Sequence, residues 1–194
     1  MSLISCRTAR ELVERHFVDS LVLGQWIGDA ITIVDLGSGA GFPGIPLAIA
    51  YPERRIILVE PRRRRANFLR EAKRVLALNN AQIVEARAED GAESAKLLLA
   101  DAVVCRAVWV DEGVLPVAPV WLRPSGVLIS MKGGRASGAT EISAAEGCAQ
   151  GGSEGLKRGK LPQAGDIRWE RSVTYRIGSG RRRTLEIYRR RAAN

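Results

Sequence analysis

Residues 31–44 read Ile31-Thr-Ile-Val-Asp35-Leu-Gly37-Ser-Gly39-Ala-Gly41-Phe-Pro43-Gly44, and the succession of residue types along them decides the fold. The apolar run Ile31 to Val34 predicts a buried strand, which Asp35 closes. Four glycines then fall within the eight positions 37–44. A short apolar helix, Ile45 to Ala50, follows and stops at Pro52. Strand, glycine loop and helix in this order bring backbone N–H groups and a helix N-terminus up against a ligand. Glycine is required in such a loop because a Cβ blocks close backbone approach and disfavours the positive φ angles of the turn.

Two ligands are compatible with this loop. Gly39-x-Gly41-x-x-Gly44 satisfies a dinucleotide fingerprint, the mark of NAD or FAD. The longer string Asp35-x-Gly37-x-Gly39-x-Gly41 places a carboxylate two residues before the first glycine. A carboxylate repels a pyrophosphate but attracts a sulfonium and an ammonium, which favours S-adenosylmethionine. Glu60 lies 25 positions after Asp35 (60 − 35) at the end of the next apolar run, where an acid suits a ribose diol in either cofactor.

Outward from the loop, composition narrows the class. The chain has 194 residues, 46% of them hydrophobic, which is ample for a sizeable core. Its three cysteines, Cys6, Cys105 and Cys148, are scattered, and His16 is the only histidine. That pattern argues against a disulfide framework and against a metal site, and it suits a reducing cytoplasm. No apolar run approaches the roughly 18 residues that a membrane span requires. Lys and Arg number 30 against 21 Asp and Glu, a net charge of +9. The excess is clustered at Arg62–Arg65, Arg181–Arg183 and Arg189–Arg191, which favours a nucleic-acid partner over a membrane.

Residues 7–27 carry a helical period through Leu12, Val13, Phe17, Leu21, Val22 and Leu23, with Gly24 or Gly28 as the stop. His16, Asp19 and Ser20 fall at i, i+3 and i+4 within it, on one face. Beyond the glycine loop, Arg55–Val59 reads as a second strand and Arg62–Leu78 as a helix. Phe68, Leu69, Ala72, Val75 and Leu76 form that helix's expected buried stripe, and Asn79-Asn80 its stop. Four arginines in its first turn oppose the helix dipole, which suggests a phosphate-facing end. Gln82–Val84 is a third strand, Glu85–Asp90 a turn suited to gripping an adenine, and residues 92–99 a further helix. Asp101–Ala107 is a fourth strand that carries Arg106 at its end. Asp111–Leu122 is helical in pieces, since Pro116 and Pro119 interrupt it. Arg123–Gly126 is a turn into the fifth strand, Val127–Met131, which ends in Lys132-Gly133-Gly134. Residues 135–166 are rich in Gly, Ala and Ser and read as a loop or weak helix. Trp169–Ile177, the Gly178–Gly180 turn and Arg181–Tyr188 make a hairpin. Alternating strands and helices indicate an α/β doubly wound sheet, with ligands at the strand C-termini.

These residues resemble the RsmG (GidB) family of 16S ribosomal RNA guanine-N7 methyltransferases. The resemblance is carried by Glu14-Arg-His16-Phe-Val-Asp19-Ser20-Leu21, Asp35 to Gly44, and Glu60-Pro-Arg-Arg-Arg-Arg-Ala-Asn-Phe-Leu69. It continues through Arg87-Ala-Glu-Asp90, Arg106-Ala107 and Lys132-Gly133. It implies a class I methyltransferase fold, Rossmann-like and mostly parallel, closed by an antiparallel C-terminal hairpin. It also implies S-adenosylmethionine as cofactor, 16S rRNA or the small ribosomal subunit as partner, and no metal. Gly37, Phe42, Ala88, Glu89 and Arg106 are the positions of the family's cofactor contacts, joined here by Asp35, Gly39, Gly41 and Glu60. Arg106 is matched to the methionine carboxylate. No residue is singled out as catalytic; His16, Asp19, Ser20 and Lys132 are positioning candidates at the substrate mouth. Arg62, Arg63, Arg64 and Arg65, with Arg181, Arg182 and Arg183, are the expected RNA contacts.

The expected organisation is a single domain: a helical extension to residue 28, a cofactor-binding core over 29–134, the glycine-rich segment 135–166 and a hairpin from 167. A cytoplasmic monomer is expected. Three departures from the family pattern accompany the resemblance. Only 15 residues precede His16, so a cap or an RNA-contacting piece is expected to be missing. Cys105 replaces a small hydroxyl residue, and 135–166 is glycine-rich where a helix is usual. Two further classes fit the residues alone: a methyltransferase with a small-molecule or protein acceptor, and a non-catalytic RNA-binding assembly factor.

Overall fold

The computed structural model describes residues 8–94, 97–106, 114–133, 140–141, 166–177 and 181–192. Most of the glycine-rich segment, the Gly178–Gly180 turn, Asp111–Gly113, Ala107 and Gly134 lie outside these residues. Helices α1 (a run from Ala9 to Gln25), α2 (Gly44–Ala50), α3 (Arg63–Val75) and α4 (Gly91–Ser94) accompany eight strands. The strands are β1 (Thr32–Leu36), β2 (Arg55–Val59), β3 (Ala81–Val84), β4 (Ala100–Arg106), β5 (Leu122–Gly133), β6 (Thr140–Glu141), β7 (Ile167–Ile177) and β8 (Arg181–Arg190). They form one sheet in the order β3-β2-β1-β4-β5-β8-β7-β6. The first five run parallel, β8 pairs antiparallel with both β5 and β7, and β6 is parallel to β7. The expected α/β doubly wound sheet with a terminal hairpin is therefore the observed one.

Alternation along the strands divides the core into two layers. Ile33, Ile56, Leu58, Ala102 and Val104 pack on one face with Leu23, Leu47 and Leu69. Val34, Leu36, Ile57, Val59 and Val103 pack on the other with Trp121, Leu115 and Tyr188. Because both faces are covered, β1 and β2 read as continuous apolar runs. Each such aliphatic side chain withdrawn from water contributes about 1.5–3 kcal/mol. Asp101 fastens the opposite end of the sheet: its Oδ2 accepts the Ile31 and Thr32 N–H groups, and its Oδ1 pairs with Arg123.

Several elements differ from the sequence-based expectation. The helical run α1 changes pitch, from α (Ala9–Leu12) through π (Val13–Phe17) and α (Val18–Leu21) to a 3-10 turn (Val22–Gln25). It fully buries only Leu23 of its predicted apolar set: Leu12, Phe17 and Val22 are half-buried, and Val13 and Leu21 stand exposed. Helix α3 buries Ala66 and Leu69, while Phe68, Val75 and Leu76 stand exposed. It covers the sheet's β3 edge, and a four-residue strand cannot reach under the rest of its apolar face. The predicted 92–99 helix shrinks to α4, with Leu97–Leu99 irregular. Strand β5 begins at Leu122, five residues before its predicted start, and runs through the supposed Arg123–Gly126 turn. A register irregularity against β4 and Ser125 at φ 64° absorb the turn-forming residues there.

Candidate active site

The glycine loop joins β1 to α2 beside β4, where the strand order reverses direction from the sheet's centre. Asp35 is wholly buried beneath it and accepts the Gly44 N–H through Oδ2 at 3.0 Å. A Cβ on Gly44 would sit 2.8 Å from that oxygen and 2.9 Å from Leu58, so only glycine lets the helix begin there. Gly41 has φ +90°, and a Cβ on it would collide with Ile45. Asp35 Oδ1 has no hydrogen-bond partner among the described residues. Burial pushes the Asp35 carboxyl up to about 7, against the Gly44 and Ser38 hydrogen bonds that favour its charge.

Glu60 is also buried, and both of its oxygens are engaged. Oε2 accepts the Gly39 N–H and Oε1 the Arg62 N–H, each at 2.9 Å, while Arg65 Nη1 lies 4.0 Å away. It therefore ties the glycine loop to the N-terminus of α3, where no acidic residue occupies the first turn. This carboxylate offsets the arginine-loaded helix start. The acid expected to suit a ribose diol thus also braces the loop, each oxygen accepting one backbone N–H.

Two cavities lie near the loop. The first, about 420 Å³, is lined by Leu36, Gly37, Val59, Pro61, Arg62, Arg87, Ala88, Glu89 and Val114. Gly37, Ala88 and Glu89, all predicted cofactor contacts, come together there, with the exposed Gly37 backbone as part of its floor. The Ala88 turn is held from behind: Trp121 Nε1 donates to the Ala88 carbonyl at 2.6 Å, and Asp90 accepts the Arg87 N–H at 2.8 Å. Asp35, Gly39, Gly41 and Glu60 support this cavity without lining it.

The second cavity, also about 420 Å³, is lined by His16, Asp19, Arg106, Met131, Lys132, Gly133 and Arg183. Phe42 joins the loop to it. Its ring lies 5.0 Å from the His16 ring, 5.5 Å from that of Phe17 in an edge contact, and 5.0 Å from the Arg106 guanidinium carbon. Asp19 is buried and receives the Tyr175 hydroxyl at 2.6 Å. Its other oxygen lies 3.4 Å from Arg183 Nε and 3.9 Å from Arg106 Nη1. Burial raises the Asp19 carboxyl, against the Tyr175 bond and the two arginines, and the same burial and carboxylate raise the Tyr175 hydroxyl. His16 is pushed down to about 4 by burial, then by Arg106, Arg183 and Arg15. It is a neutral imidazole at physiological pH.

Two expectations need correction. Ser20 is fully buried and does not reach the mouth; its hydroxyl donates to the His16 carbonyl at 2.6 Å, serving the backbone where the π turn loosens it. Arg183 is half-buried, unlike the exposed Arg181 and Arg182, because it pairs with the buried Asp19. Of the other cluster, Arg62, Arg63 and Arg64 are exposed and Arg65 is half-buried toward Glu60. Met131, Gly133, Tyr175 and Val114 were not anticipated. Tyr175 carried one legible signal, a hydroxyl at an inward position of a strand, which needs a partner once buried. Cys105 is a buried free thiol, pushed up to about 12 by burial. No group of potential metal ligands exists among the described residues, and no helix there is long and apolar enough to cross a membrane.

Comparison with known proteins places this geometry in a family. The GidB family, described as rRNA small subunit methyltransferase G, matches residues 1–154. A ribosomal RNA small subunit methyltransferase G of Xanthomonas campestris pv. campestris (strain B100) is 45% identical over 132 residues, covering 68% of this chain and 60% of that protein. The protein of the same name from Stenotrophomonas maltophilia (strain K279a) is 42% identical over the same shares. The aligned part of the chain thus spans about 60% of the length of these relatives. Among solved structures, a SAM dependent methyltransferase from Aquifex aeolicus has a TM-score of 0.57 at 14% identity, covering 91% of this chain and 92% of that one. TrmN from Thermus thermophilus has a TM-score of 0.58 at 14% identity, covering 92% of this chain and 53% of that one. At such identities the likeness is one of fold.

Proposed function

The chain belongs to the rRNA small subunit methyltransferase G (GidB) family, and on that premise we propose that it transfers a methyl group from S-adenosylmethionine to N7 of a guanine in 16S rRNA. The observation that carries this reading is a pair of cavities served by one glycine loop: Gly37 lines one beside Leu36, Val59, Ala88 and Val114, and Phe42 packs against His16 and Arg106 of the other, where Lys132 and Arg183 add positive charge. The first suits an adenosine: Leu36, Val59, Ala88 and Val114 supply apolar walls, and Gly37 offers bare backbone. Asp35, buried with one oxygen unpartnered, is suited to a nearby cation. Arg106, at the Phe42 end of the loop, would take the methionine carboxylate by a guanidinium fork.

When bound, S-adenosylmethionine supplies an electrophilic methyl group on a sulfonium. Guanine N7 carries an in-plane lone pair and no proton, so the acceptor needs no general base. The task left to the chain is to hold N7 in line, by proximity and orientation. His16, neutral and stacked near Phe42, and Lys132 would orient the base, with Asp19 acting through the arginines it holds. The exposed Arg62, Arg63, Arg64, Arg181 and Arg182 would hold the phosphate backbone in the cytoplasm, where the protein would act as a monomer.

The test is methyl transfer from radiolabelled S-adenosylmethionine to small ribosomal subunits from a strain lacking this gene, with the labelled base mapped by N7-specific strand cleavage. A single labelled guanine in a small-subunit RNA loop is expected. Label on protein or on no subunit component would overturn the reading. Gly37→Asp, which puts a carboxylate into the first cavity, should abolish both transfer and cofactor binding measured by calorimetry.

A further inference from the structure

Three cations converge on the second cavity, and one carboxylate answers them. Arg106, Lys132 and Arg183 line it with Asp19. Asp19 shares its charge between the two arginines, at 3.9 and 3.4 Å, and commits its remaining oxygen to Tyr175. His16 adds no charge. Lys132 forms no ion pair among the described residues. Three cations against one anion leave the cavity two positive charges in excess. Asp35, buried behind Arg106, can remove at most one of them when ionised.

Such an excess is at odds with a cationic cofactor. Methyl transfer moves the positive charge from sulfur to the base without removing it, so the site stays cationic throughout. Uncompensated like charge at short range in a half-buried cavity is costly. S-adenosylmethionine brings a carboxylate for Arg106 but also an ammonium and a sulfonium, so it adds one net positive charge and leaves the balancing anion to the acceptor. A nucleobase brings none, whereas each nucleotide linkage brings one.

The arrangement of the two remaining cations fits that anion. Arg183 and Lys132 stand at the ends of adjacent antiparallel strands, with Arg183 opposite Gly133 and Lys132 opposite Thr184. Paired residues share a face, so the two side chains leave the sheet on opposite faces and both reach the cavity at its edge. A Cβ on Gly133 would lie 3.4 Å from Arg183 Nη1, so this guanidinium rests over bare backbone. We propose that Lys132 and Arg183 form a phosphate subsite that straddles the sheet edge and takes the phosphodiester adjoining the target guanosine. It rests on the methyltransferase reading and deepens it: the acceptor is recognised as a nucleotide, not as a base, and its phosphate neutralises the cavity as the base enters.

The test is calorimetric binding of guanosine, guanosine 5′-monophosphate and guanosine 3′-monophosphate to the full chain loaded with S-adenosylhomocysteine. One of the two nucleotides should bind about tenfold tighter than guanosine, the worth of one charge-assisted contact. Lys132→Gln and Arg183→Gln should each reduce that preference and together remove it. Arg183→Lys, which keeps the charge, should restore part of it. Lys132→Gln lies at a strand end and keeps the test valid if Arg183→Gln disturbs Asp19. Equal affinity for all three ligands, no detectable nucleotide binding at millimolar concentration, or a preference that survives the double substitution overturns the subsite. Failure to bind S-adenosylhomocysteine at all overturns the reading beneath it, and is seen separately.

Discussion

The two cavities are built by opposite strategies. The first is assembled at the ends of β1 and β2, from the Arg87–Glu89 turn and from Val114, and combines apolar walls and the bare Gly37 backbone with Arg62, Arg87 and Glu89. Its carboxylates are buried: Glu60 accepts the Gly39 and Arg62 N–H groups, and Asp35 accepts the Gly44 N–H with one oxygen left over. The second draws on four separate parts of the chain: α1, the end of β4, the end of β5 and the hairpin. It works through charged side chains that are incompletely neutralised. The difference teaches that the glycine loop is a platform braced by backbone hydrogen bonds to buried carboxylates, whereas the cationic side, where Asp19 pairs with two arginines, is left to be completed by its ligand.

The largest effect expected from breaking this division is at Gly44. Gly44→Val forces atoms into space held by Asp35 and Leu58, which should cost about 1–3 kcal/mol of stability and abolish cofactor binding. Urea denaturation and calorimetry would read the two losses. Retained cofactor affinity would show that the loop is not the platform described.

Asp35 sharpens the contrast through pH. Its carboxyl is raised in the folded protein from 3.8 to about 7. Between those values the folded state holds a proton that the unfolded state has released, so stability falls as pH rises across the window. Asp35→Asn should therefore stabilise the free protein at pH 8, by up to roughly 4 kcal/mol, and have little effect below pH 4. The same substitution should weaken cofactor binding. In the wild type, affinity for a cationic ligand should rise as pH passes through about 7. Thermal melts and calorimetry at pH 6 and 8 would check both signs.

Tyr175→Phe removes one hydrogen bond from the buried Asp19 carboxylate and should cost about 1–3 kcal/mol. It should raise the acceptor KM while leaving cofactor Kd unchanged. An equal loss on both sides would dissolve the distinction between the cavities. The smallest effect belongs to His16. Because it stays neutral above about pH 5, His16→Asn should leave the shape of the kcat/KM profile between pH 5.5 and 8 unchanged, whatever it does to the rate.

Legibility followed this same division. The glycine loop and the Glu85–Asp90 turn, which bring Gly37, Ala88 and Glu89 to one cavity, were legible because both depend on local residue type. The β1–α2–β2 order was legible for the same reason, since hydrophobic runs and glycine loops act within about ten residues. The stripe of α3 was misjudged because a periodic pattern does not state how far the sheet extends beneath it. Ser20 was misjudged because helical spacing assumes a regular helix, and a π turn breaks that assumption.

By itself, then, the amino-acid order determined the strand–loop–helix framework, the ligand-bearing edge of the sheet and the excess of basic charge, because all three are sums of local preferences. Only the tertiary structure decided which charges are spent. Glu60 became a brace and Arg183 a partner of the buried Asp19, which was left balancing two arginines under Tyr175. The reason is physical. Partners such as Asp19 and Tyr175, 156 residues apart, meet only when the hairpin closes beside α1, and burial then sets the charge that each can keep.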